Sequence, residues 1–502
     1  MENLYDLLII GGGINGAGIA RDAAGRGLKV CLVEKDDLAG HTSSSSTKLV
    51  HGGLRYLEHY EFRLVRESLI ERERLLSIAP HIIWPLRFVL PHDKGLRPKW
   101  LLRLGLFLYD NLGGRKLLPA TRDLNLRDAP HGSFLQDRLT HGFEYSDCWV
   151  EDSRLVVLNC MDAAARGADI LVRTECTGLE RCADNWSIQL RDQTGETHSI
   201  NARNVVNAAG PWVDTVLGRA LPDETHKNLR LVKGSHLIFP RLFEGDHCYI
   251  FQNRDDRIIF AIPYEGEFTL VGTTDQLFRG DPAGIDISPE EADYICDAAN
   301  EYLRTSISPE DAVASFAGVR PLYENNASTN STVTRDYQFE VDRGDGNDAP
   351  TLLSIFGGKL TTYRKLAEHA LSELGVTGDS WTADVSLPGG DFPVEETDKR
   401  LAQFQQRYDW FPSDGIRRLF RAYGTAITDI LGDAKGTDQL GTHFGGSLYE
   451  AELKYLVRSE FARSADDVLR RRSKLYLHLS AEEQKAVHDW FDDTDWSHLS
   501  TA

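Results

Sequence analysis

The start of the chain combines apolar runs with a segment of helical spacing. An apolar run, Leu4 to Ile10, enters a glycine-rich turn, and a second run, Leu28 to Val33, ends at Glu34. Between them, a helix is predicted over Asn15 to Arg26. Its small apolar face consists of Ile14, Ala17, Ala20, Ala23 and Ala24. The pattern predicts a β-α-β unit that opens an α/β domain.

Later apolar runs predict further strands of this domain and a second sheet. Strands are expected at Asp169 to Thr174, Trp186 to Leu190, Asn204 to Asn207 and Leu352 to Phe356, and a helix at Tyr60 to Ala79. An antiparallel sheet is expected from the closely spaced runs Cys248 to Gln252, Arg257 to Ile262 and Phe268 to Gly272. Strand patterns stop after Gly390, and a helical C-terminal domain is expected to include Leu448 to Glu460 and Asp466 to Lys474.

Composition narrows the class of protein. A chain of 502 residues predicts about three domains. The net charge of −20 argues against nucleic acid as a partner, because phosphate binding needs a basic surface. The segment Met1 to Leu4 has no basic region, and glycines interrupt the first apolar run. We therefore expect neither a signal peptide nor a membrane-spanning helix.

The cysteines favour a reducing compartment and no metal site. Their number is odd, and their spacing fits neither a disulfide framework nor a metal-ligand motif. The seven cysteines are Cys31, Cys148, Cys160, Cys176, Cys182, Cys248 and Cys296.

The turn Gly11-Gly12-Gly13-Ile14-Asn15-Gly16 carries the first chemical signal. Its glycines permit a close backbone approach, so a pyrophosphate can lie on the N-terminus of the next helix. Glu34 follows where a carboxylate accepts ribose hydroxyls. Three glycines also occur in ordinary loops, but the strand before them and the helix after them favour a dinucleotide site. Because a 2′-phosphate calls for arginine at the position of Glu34, NAD and FAD remain.

The polar stretch Ala39 to Lys48 leads into His51-Gly52-Gly53-Leu54-Arg55-Tyr56. One interpretation is a solvated linker. The other is a backbone that lies close to a planar ligand, because a serine run followed by paired glycines permits such an approach.

Several motifs resemble those of a known flavoprotein family. The N-terminal glycine unit, Asn207 to Trp212 and Phe356 to Thr361 resemble the glutathione-reductase-like flavoproteins of the amino-acid-oxidase type. Longer motifs look like those of the aerobic, FAD-dependent glycerol-3-phosphate dehydrogenases over essentially the whole chain. They are His51 to Glu58, Gly142 to Cys148, Lys233 to His236, Gly318 to Leu322 and Gly357 to Arg364.

The resemblance implies three domains. A Rossmann-like FAD domain is expected over residues 1–80, 145–230 and 335–387, interleaved with an α+β substrate domain over 81–144 and 231–334. An all-α C-terminal domain is expected over 388–502. The expected FAD contacts are Gly11, Gly13, Ile14, Asn15, Gly16, Glu34, Thr42, Ser43, Ser44, Lys48, Leu49, His51, Gly52, Gly53, Ala209, Gly210, Trp212, Gly357, Gly358, Lys359, Leu360 and Thr361.

The resemblance also implies a reaction: oxidation of sn-glycerol 3-phosphate at C2 to dihydroxyacetone phosphate, with electrons passing from FAD to membrane ubiquinone. A dianionic substrate needs fixed cations, and arginine forms a planar fork for phosphate oxygens. By matching positions, Arg320 and Arg335 are the expected phosphate ligands, completed by Arg55, Tyr56 and Lys359. Without the resemblance, a pair with a carboxylate at a strand end is the favoured explanation of Arg320.

Hydride transfer requires the C2 hydroxyl proton to leave, and a base with a pKa near neutrality serves best. His236 and His51 are the candidates, although a single histidine on an apolar strand is often structural. Lys359 is a third candidate, as a group that stabilises the alkoxide or the reduced flavin, and Arg320 completes the expected catalytic set. The helix beginning near Lys359 is expected to stabilise charge at the flavin N1–C2=O edge.

A ubiquinone acceptor requires contact with the bilayer, and residues 87–116 are the expected contact. This segment combines Arg97, Lys99 and Arg103 with Trp100 and many leucines, which suits an interfacial helix on anionic lipid. Packing on its own domain explains such a helix equally well. The basic run Arg470 to Lys474 is expected to be a solvated helix end. The expected location is the cytoplasmic face of the inner (plasma) membrane, and the family implies a homodimer.

Three other functions fit this fold. An oxidase of the same substrate passes electrons to oxygen instead, and the residues do not decide between the two acceptors. An amino-acid oxidase needs a carboxylate and amine pocket, against which the cationic motifs argue. A non-catalytic dinucleotide-binding module is the alternative outside enzymes.

Overall fold

Two β-sheets and a C-terminal helical region organise the chain. The computed structural model describes residues 4–93, 97–222, 228–255, 257–324, 336–344 and 349–493. The strands are β1 (Leu4–Ile10), β2 (Val30–Val33), β3 (Leu49–Val50), β4 (Ile83–His92), β5 (Arg122–Asn125), β6 (His141–Val150), β7 (Asp169–Leu171), β8 (Glu175–Arg181), β9 (Trp186–Arg191), β10 (Thr197–Asn207), β11 (Leu229–Pro240), β12 (Cys248–Gln252), β13 (Ile258–Tyr264), β14 (Phe268–Gly272), β15 (Gln276–Leu277), β16 (Ala314–Tyr323), β17 (Gln338–Asp342), β18 (Leu352–Phe356), β19 (His443–Gly445) and β20 (Leu448–Tyr449). The α-helices are α1 (Ile14–Gly25), α2 (Phe62–Ile78), α3 (Lys99–Leu112), α4 (Asp152–Ala165), α5 (Val213–Ala220), α6 (Pro289–Asn300), α7 (Tyr363–Glu373), α8 (Thr397–Arg407), α9 (Ser413–Tyr423), α10 (Ile427–Leu431), α11 (Glu450–Ser459) and α12 (Ala481–Asp493).

The first sheet contains the parallel strands expected from the N-terminal pattern. Its order, within the described ranges, is β17-β18-β10-β1-β2-β7, and β9 and β8 continue from β10. β1 pairs in parallel with β10 and β2, so Ile9 lies between Val206 and Leu32. β10 extends well before the predicted Asn204 to Asn207. Its exposed first half pairs with antiparallel β9 and therefore lacks an apolar run.

Helix α1 packs against this sheet through its smallest residues. It begins one residue earlier than predicted and contacts α4 and α7. Ala17, Ala20 and Ala23 are fully buried. A Cβ at Gly16 would lie 2.0 Å from the Gly11 carbonyl oxygen, so only glycine lets the helix approach the turn this closely. The helix N-terminus is thereby held at the carboxyl edge of the parallel strands.

The second sheet is antiparallel apart from the β4–β12 pair and the strands expected at its centre are present. Its order is β15-β11-β14-β13-β12-β4-β6-β3, with β16 paired to β11 and β5 paired to β6. The pairing of β11 with β16 sets Gly234 opposite Gly318. Two of the family motifs, Lys233 to His236 and Gly318 to Leu322, therefore lie side by side.

The C-terminal region is helical, with one two-stranded ribbon. Helices α8 to α12 surround a core of their own that includes the buried Ile416, Phe420 and Leu456. The predicted helix from Leu448 begins at Glu450, because the two residues before it pair with β19 in the ribbon.

The interpretation of Arg470 to Lys474 as a solvated helix end is wrong for most of the run. The Arg470 side chain is 56% exposed, but those of Arg471, Arg472 and Lys474 are 16%, 0% and 5% exposed. The physical reason is that each buried cation meets a carboxylate of the N-terminal region, a pairing that a local charge pattern does not reveal.

Helix α3 lies within the segment predicted to contact the membrane and has two apolar sides. Leu102 and Leu106 are buried against the protein, whereas Trp100, Leu104 and Phe107 are 69%, 48% and 59% exposed. In the described part of the chain, no helix has both the length and the apolarity needed to cross a bilayer.

The cysteines are unpaired, and six of the seven are buried. Cys182 is the exposed one. The described residues contain no group of histidine, cysteine and carboxylate side chains arranged to hold a metal ion.

Candidate active site

Two adjoining cavities form one cleft along the carboxyl edge of the first sheet. The first, of about 190 Å³, is lined by Gly11, Glu34 and Trp212 among others. The second, of about 320 Å³, lies where the second sheet meets the first. Both cavities are lined in part by Ile14, Thr42, Ser43, Gly357 and Gly358. The position at the ends of parallel strands is the usual ligand site of such sheets.

The glycine turn presents a helix N-terminus to this cleft. Gly11 has a φ of 113°, and a Cβ there would lie 2.5 Å from the Ala208 carbonyl oxygen, so this position requires glycine. Gly13 is the N-cap of α1 and supplies no capping side chain. Asn15 donates through Nδ2 to the Gly357 carbonyl at 3.1 Å, whereas its buried Oδ1 has no hydrogen-bond partner among the described residues. The site therefore fits a ligand with phosphates and a hydrogen-bond donor.

Glu34 is held in place at the end of β2. Its two carboxylate oxygens accept hydrogen bonds from the backbone N–H groups of Gly12, at 2.7 Å, and Asp36, at 2.8 Å. Burial raises the pKa of Glu34, and the two backbone donors oppose that rise. The carboxylate is thus fixed at the first cavity, as expected for a group that accepts ribose hydroxyls.

Trp212 closes the edge of the first cavity together with two residues that the sequence interpretation missed. The His41 ring lies 4.5 Å from the Trp212 ring, and the Lys35 ammonium lies 3.9 Å from it. Ala209 and Gly210 line the same cavity. No local motif singles out His41 or Lys35, because their role depends on the fold.

The cationic residues predicted to bind substrate meet in the second cavity. Arg55 and Tyr56 lie on a 3₁₀-helix, Leu54–His59, and Arg320 lies on β16. The Arg320 guanidinium donates to Thr273 Oγ1 at 3.3 Å, and the Lys359 ammonium lies 4.0 Å from the Tyr56 ring centre. Asp275 Oδ1 is 3.9 Å from Arg320 NH1.

One expected phosphate ligand, Arg335, lies outside the described residues. It stays a prediction, and the cavity described above does not depend on it.

The two histidines occupy different positions. His51 lines the second cavity, and its backbone N–H donates to Thr361 Oγ1 at 3.3 Å. His236 is 1% exposed and lies behind the cavity wall, where its ring stacks on Phe316 with centres 4.8 Å apart. Burial, followed by the charges of Lys48 and Arg320, holds the pKa of His236 well below its usual value.

Thr47 connects His236 with the cavity. Its Oγ1 is 3.0 Å from His236 Nε2, and it lines the second cavity itself. The sequence interpretation missed Thr47, because a threonine in a serine-rich loop carries no signal until β11 brings His236 to it. Thr273 and Asp275 were missed as well, although a polar run directly after β14 is the kind of strand end where site residues occur.

The loop over residues 42–53 contributes only some of its expected cofactor contacts to the cleft. The expected contacts that line it are Thr42, Ser43, Leu49, His51 and Gly53. Three other expected contacts of the loop point elsewhere: Ser44 Oγ donates to the His41 carbonyl, Lys48 binds Asp152, and the Gly52 N–H donates to Tyr109 Oη. Gly16 also lies outside the lining, because it is the close contact between α1 and the turn.

The second glycine pair begins another helix at the cleft. Gly357 and Gly358 have φ values of 75° and 98°, which favour glycine. They are followed by Lys359 in extended conformation, a 3₁₀-turn at Leu360–Thr362, and α7. Gly358, Lys359, Leu360 and Thr361 all line the second cavity. A helix N-terminus therefore faces this cavity, as it does at the glycine turn.

The fold and the cleft define a flavoprotein oxidoreductase. A family model described as "FAD dependent oxidoreductase" matches residues 6–354, and one described as "C-terminal domain of alpha-glycerophosphate oxidase" matches residues 380–492. The chain belongs to the FAD-dependent oxidoreductases, with the C-terminal domain that accompanies them in the glycerol-3-phosphate dehydrogenases.

Individual relatives show which FAD-dependent oxidoreductases this chain is similar to. The chain is 51% identical to D-erythritol 1-phosphate dehydrogenase of Brucella abortus, over 98% of both chains. It is 50% identical to glycerol-3-phosphate dehydrogenase of Pseudomonas aeruginosa, over 96% of this chain and 94% of the relative. It matches the FAD-bound structure of glycerol-3-phosphate dehydrogenase from Bacillus halodurans with a TM-score of 0.78 and 31% identity, over 99% of this chain and 93% of that one.

FAD is the cofactor of this protein. The residues present fit it, because the turn at Gly11 leaves room for a close approach and Asn15 Oδ1 needs a donor.

Proposed function

We propose that this protein oxidises sn-glycerol 3-phosphate at C2 to dihydroxyacetone phosphate and passes the electrons to membrane ubiquinone. The observation that carries the proposal is the cavity that joins Arg55, Arg320 and Lys359 to the glycine-rich cofactor cleft. Relatives named as glycerol-3-phosphate dehydrogenases, at 46–50% identity, support it. We assign FAD binding to residues 1–80, 145–230 and 335–387 and substrate binding to 81–144 and 231–334.

In this proposal the phosphate is bound by Arg320 and Arg335, assisted by Arg55, Tyr56 and Lys359. Guanidinium groups bind phosphate oxygens in a planar fork, which fixes the orientation of the substrate. Thr273 supports this role, because its hydroxyl accepts from Arg320 and keeps the guanidinium at the cavity.

The proton of the C2 hydroxyl passes to an imidazole nitrogen of His51, the histidine on the cavity surface. His236 holds the Thr47 hydroxyl in position from behind. Because burial of His236 disfavours a charged imidazolium, His236 does not take the proton itself. Bound FAD supplies the hydride acceptor. Lys359 and the N-terminus of the helix after Gly358 stabilise the negative charge that the reduced flavin carries.

Replacement of each histidine tests these roles. Removing a general base lowers kcat by about 10²- to 10⁴-fold, so we expect His51→Gln to lower kcat by that factor with little change in KM. His236→Gln leaves His51 in place and should lower kcat less, with the acid limb of the kcat profile against pH retained. If His236→Gln abolishes the acid limb and His51→Gln does not, the assignment is reversed.

A phosphorylated four-carbon polyol, D-erythritol 1-phosphate, is the second candidate substrate. The specific observation in its favour is the relative of that name, which is 51% identical over 98% of both chains. The same cations serve either phosphate, so the difference lies in how the rest of the polyol fits.

The two substrates are distinguished by the ratio of kcat/KM values, measured with the same enzyme preparation and a short-chain quinone. A ratio in favour of glycerol 3-phosphate supports the first proposal. A ratio in favour of D-erythritol 1-phosphate assigns the second, and failure of both compounds contradicts the phosphorylated-polyol assignment.

We propose that the membrane contact is the exposed side of α3, extended by Tyr60 and Phe62. Trp100, Leu104 and Phe107 supply apolar area, and Tyr60 and Phe62 are 81% and 40% exposed on the neighbouring segment. The basic side chains of Arg97, Lys99 and Arg103 at its edge are each close to half exposed. Such a composition suits the surface of an anionic bilayer.

Charge reversal tests this contact. Replacement of Arg97, Lys99 and Arg103 by glutamate should release the protein from anionic liposomes in a sedimentation assay. The matched control reverses three exposed cations on the C-terminal domain, Lys454, Arg470 and Lys485, and should leave binding unchanged. Equal binding of both triple variants would dismiss α3 as the contact.

The electron acceptor separates a dehydrogenase from an oxidase. We expect turnover with glycerol 3-phosphate to rise when a short-chain quinone is added, with little hydrogen peroxide formed in air. Stoichiometric peroxide and no response to quinone would assign an oxidase. We further propose a homodimer at the cytoplasmic face of the inner membrane, which sedimentation equilibrium and membrane fractionation test.

A further inference from the structure

We propose that the C-terminal domain retains FAD through an ionic clasp, defined as Arg471, Arg472 and Lys474 with their partners Asp37 and Glu151. The clasp residues are positioning residues, because they line neither cavity. They act on the two loops whose residues line these cavities. The inference goes beyond the proposed substrate and reaction, since it concerns how the cofactor is held.

The first arm of the clasp is a buried arginine fork on Asp37. Arg472 donates through both terminal nitrogens to Asp37, at 2.5 and 2.8 Å, and Arg471 donates through Nε to the same carboxylate at 2.5 Å. The side chains of Arg472 and Asp37 are 0% and 1% exposed. A two-point guanidinium–carboxylate pair in a buried site fixes both partners in one geometry.

Asp37 belongs to the loop that carries Glu34 to the cofactor cleft. Its carbonyl accepts from the Gly40 N–H at 2.9 Å, and the Ala39 N–H donates to the Gly12 carbonyl at 3.0 Å. Glu34, Ala39 and Gly40 line the first cavity. The C-terminal domain is therefore joined by Asp37 to the loop that lines the first cavity beside Glu34.

The second arm reaches the serine-rich loop. Lys474 pairs with Glu151, and the Arg471 carbonyl accepts from Ser153 Oγ at 2.6 Å. Asp152 lies between these two anchored residues and accepts from Lys48 Nζ and, at 2.7 Å, from Ser46 Oγ. Residues 151–153 thus transmit the position of the C-terminal domain to the loop that lines the second cavity.

The two arms come from one short segment of the C-terminal domain and hold two successive stretches of the chain, residues 34–43 along the first cavity and residues 45–53 along the second. Release of a ligand that lies along both stretches requires at least one of them to move. A rigid domain docked on both through buried ion pairs opposes that movement. The clasp therefore explains why a helical domain accompanies this cofactor fold although none of its described residues lines the two cavities of the cleft.

The test measures cofactor release rather than turnover, so it is independent of the substrate assignment. Holoenzyme carrying Arg472→Gln is diluted, and free flavin is followed by timed ultrafiltration. Removing Arg472 leaves the buried Asp37 carboxylate without its two-point partner, which loosens the loop that carries it. We expect FAD to dissociate at least about tenfold faster, a change of about 1.4 kcal/mol.

The matched control is Arg418→Gln, which breaks a two-point pair with the buried Glu452 inside the C-terminal domain; Arg418 itself is 19% exposed. It should lower the urea midpoint to a similar extent and leave FAD release unchanged. Equal acceleration by both variants would overturn the clasp and reduce it to general destabilisation. Unchanged release in a folded Arg472→Gln variant would overturn it as well.

A second variant covers the case in which Arg472→Gln fails to fold. Arg471→Gln removes one contact to Asp37 and one contact to Asp467 within the C-terminal domain, from a side chain that is 16% exposed. A charge-assisted hydrogen bond is stronger than a neutral one, so a several-fold faster release is expected. The conservative Arg471→Lys, which keeps the charge, should restore part of the slow release, and no difference among the three proteins would contradict the proposal.

Discussion

Gly234→Ala is a small change that should affect the substrate site and little else. A Cβ at Gly234 would lie 2.8 Å from Thr273 Oγ1 and 2.9 Å from Arg320 NH2, where ordinary contacts begin at 3.4 Å. The Arg320 guanidinium must therefore move by about half an ångström. A displacement of about 1 Å in an active site can cost about 10²-fold in rate, so we expect kcat/KM to fall about tenfold.

Steady-state kinetics with glycerol 3-phosphate and a quinone measure this effect. The flexible end of Arg320 absorbs most of the strain, so the urea midpoint and the FAD content should stay close to the parent values. Gly218→Ala is the control, because a Cβ there meets no atom within 4 Å. An unchanged kcat/KM in Gly234→Ala would refute the assignment of Arg320 to the substrate phosphate.

Two further predictions concern buried charges. Asp152→Asn leaves the Lys48 ammonium buried without its carboxylate and should lower the free energy of unfolding by about 3–5 kcal/mol in urea titrations. A loss below about 1 kcal/mol would contradict the buried pair. Burial acts to raise the pKa of Asp467, but Arg472, Arg471 and the other nearby donors outweigh it and the net pKa is lowered. Its stabilisation is therefore present at neutral pH and is lost as the pH falls below about 4, through the folded-state pKa. Urea midpoints at several pH values should show a shallower acid loss in Asp467→Asn, and parallel curves would contradict it.

Local patterns were sufficient to predict the fold around the cofactor. The run from Leu4 to Glu34 predicted the β-α-β unit because continuous apolar strands and a helix face of small residues are properties of short segments. The antiparallel centre of the second sheet was likewise predicted from β12 and its neighbours. FAD followed from the glycine turn together with the motif resemblance, and the family comparison confirms it.

Residue positions that depend on contacts between distant parts of the chain could not be predicted from the sequence. The position of Thr47 depends on β11, which brings His236 to it, and the Lys48 ammonium, expected at the cofactor, binds Asp152, more than a hundred residues away. The Arg471 and Arg472 side chains resembled a solvated surface for the same reason, because Asp37 lies in another domain. A charge pattern reports only the residues of one helix, whereas the burial of its side chains depends on the other elements that pack against that helix.

Anaerobic titration of the purified holoenzyme with glycerol 3-phosphate, followed in the visible flavin absorbance, tests the central claim most directly. The proposed function predicts that the oxidised flavin band bleaches with dihydroxyacetone phosphate as the product, and that oxidised quinone restores the band. Retention of the oxidised band in the presence of both glycerol 3-phosphate and D-erythritol 1-phosphate would contradict it.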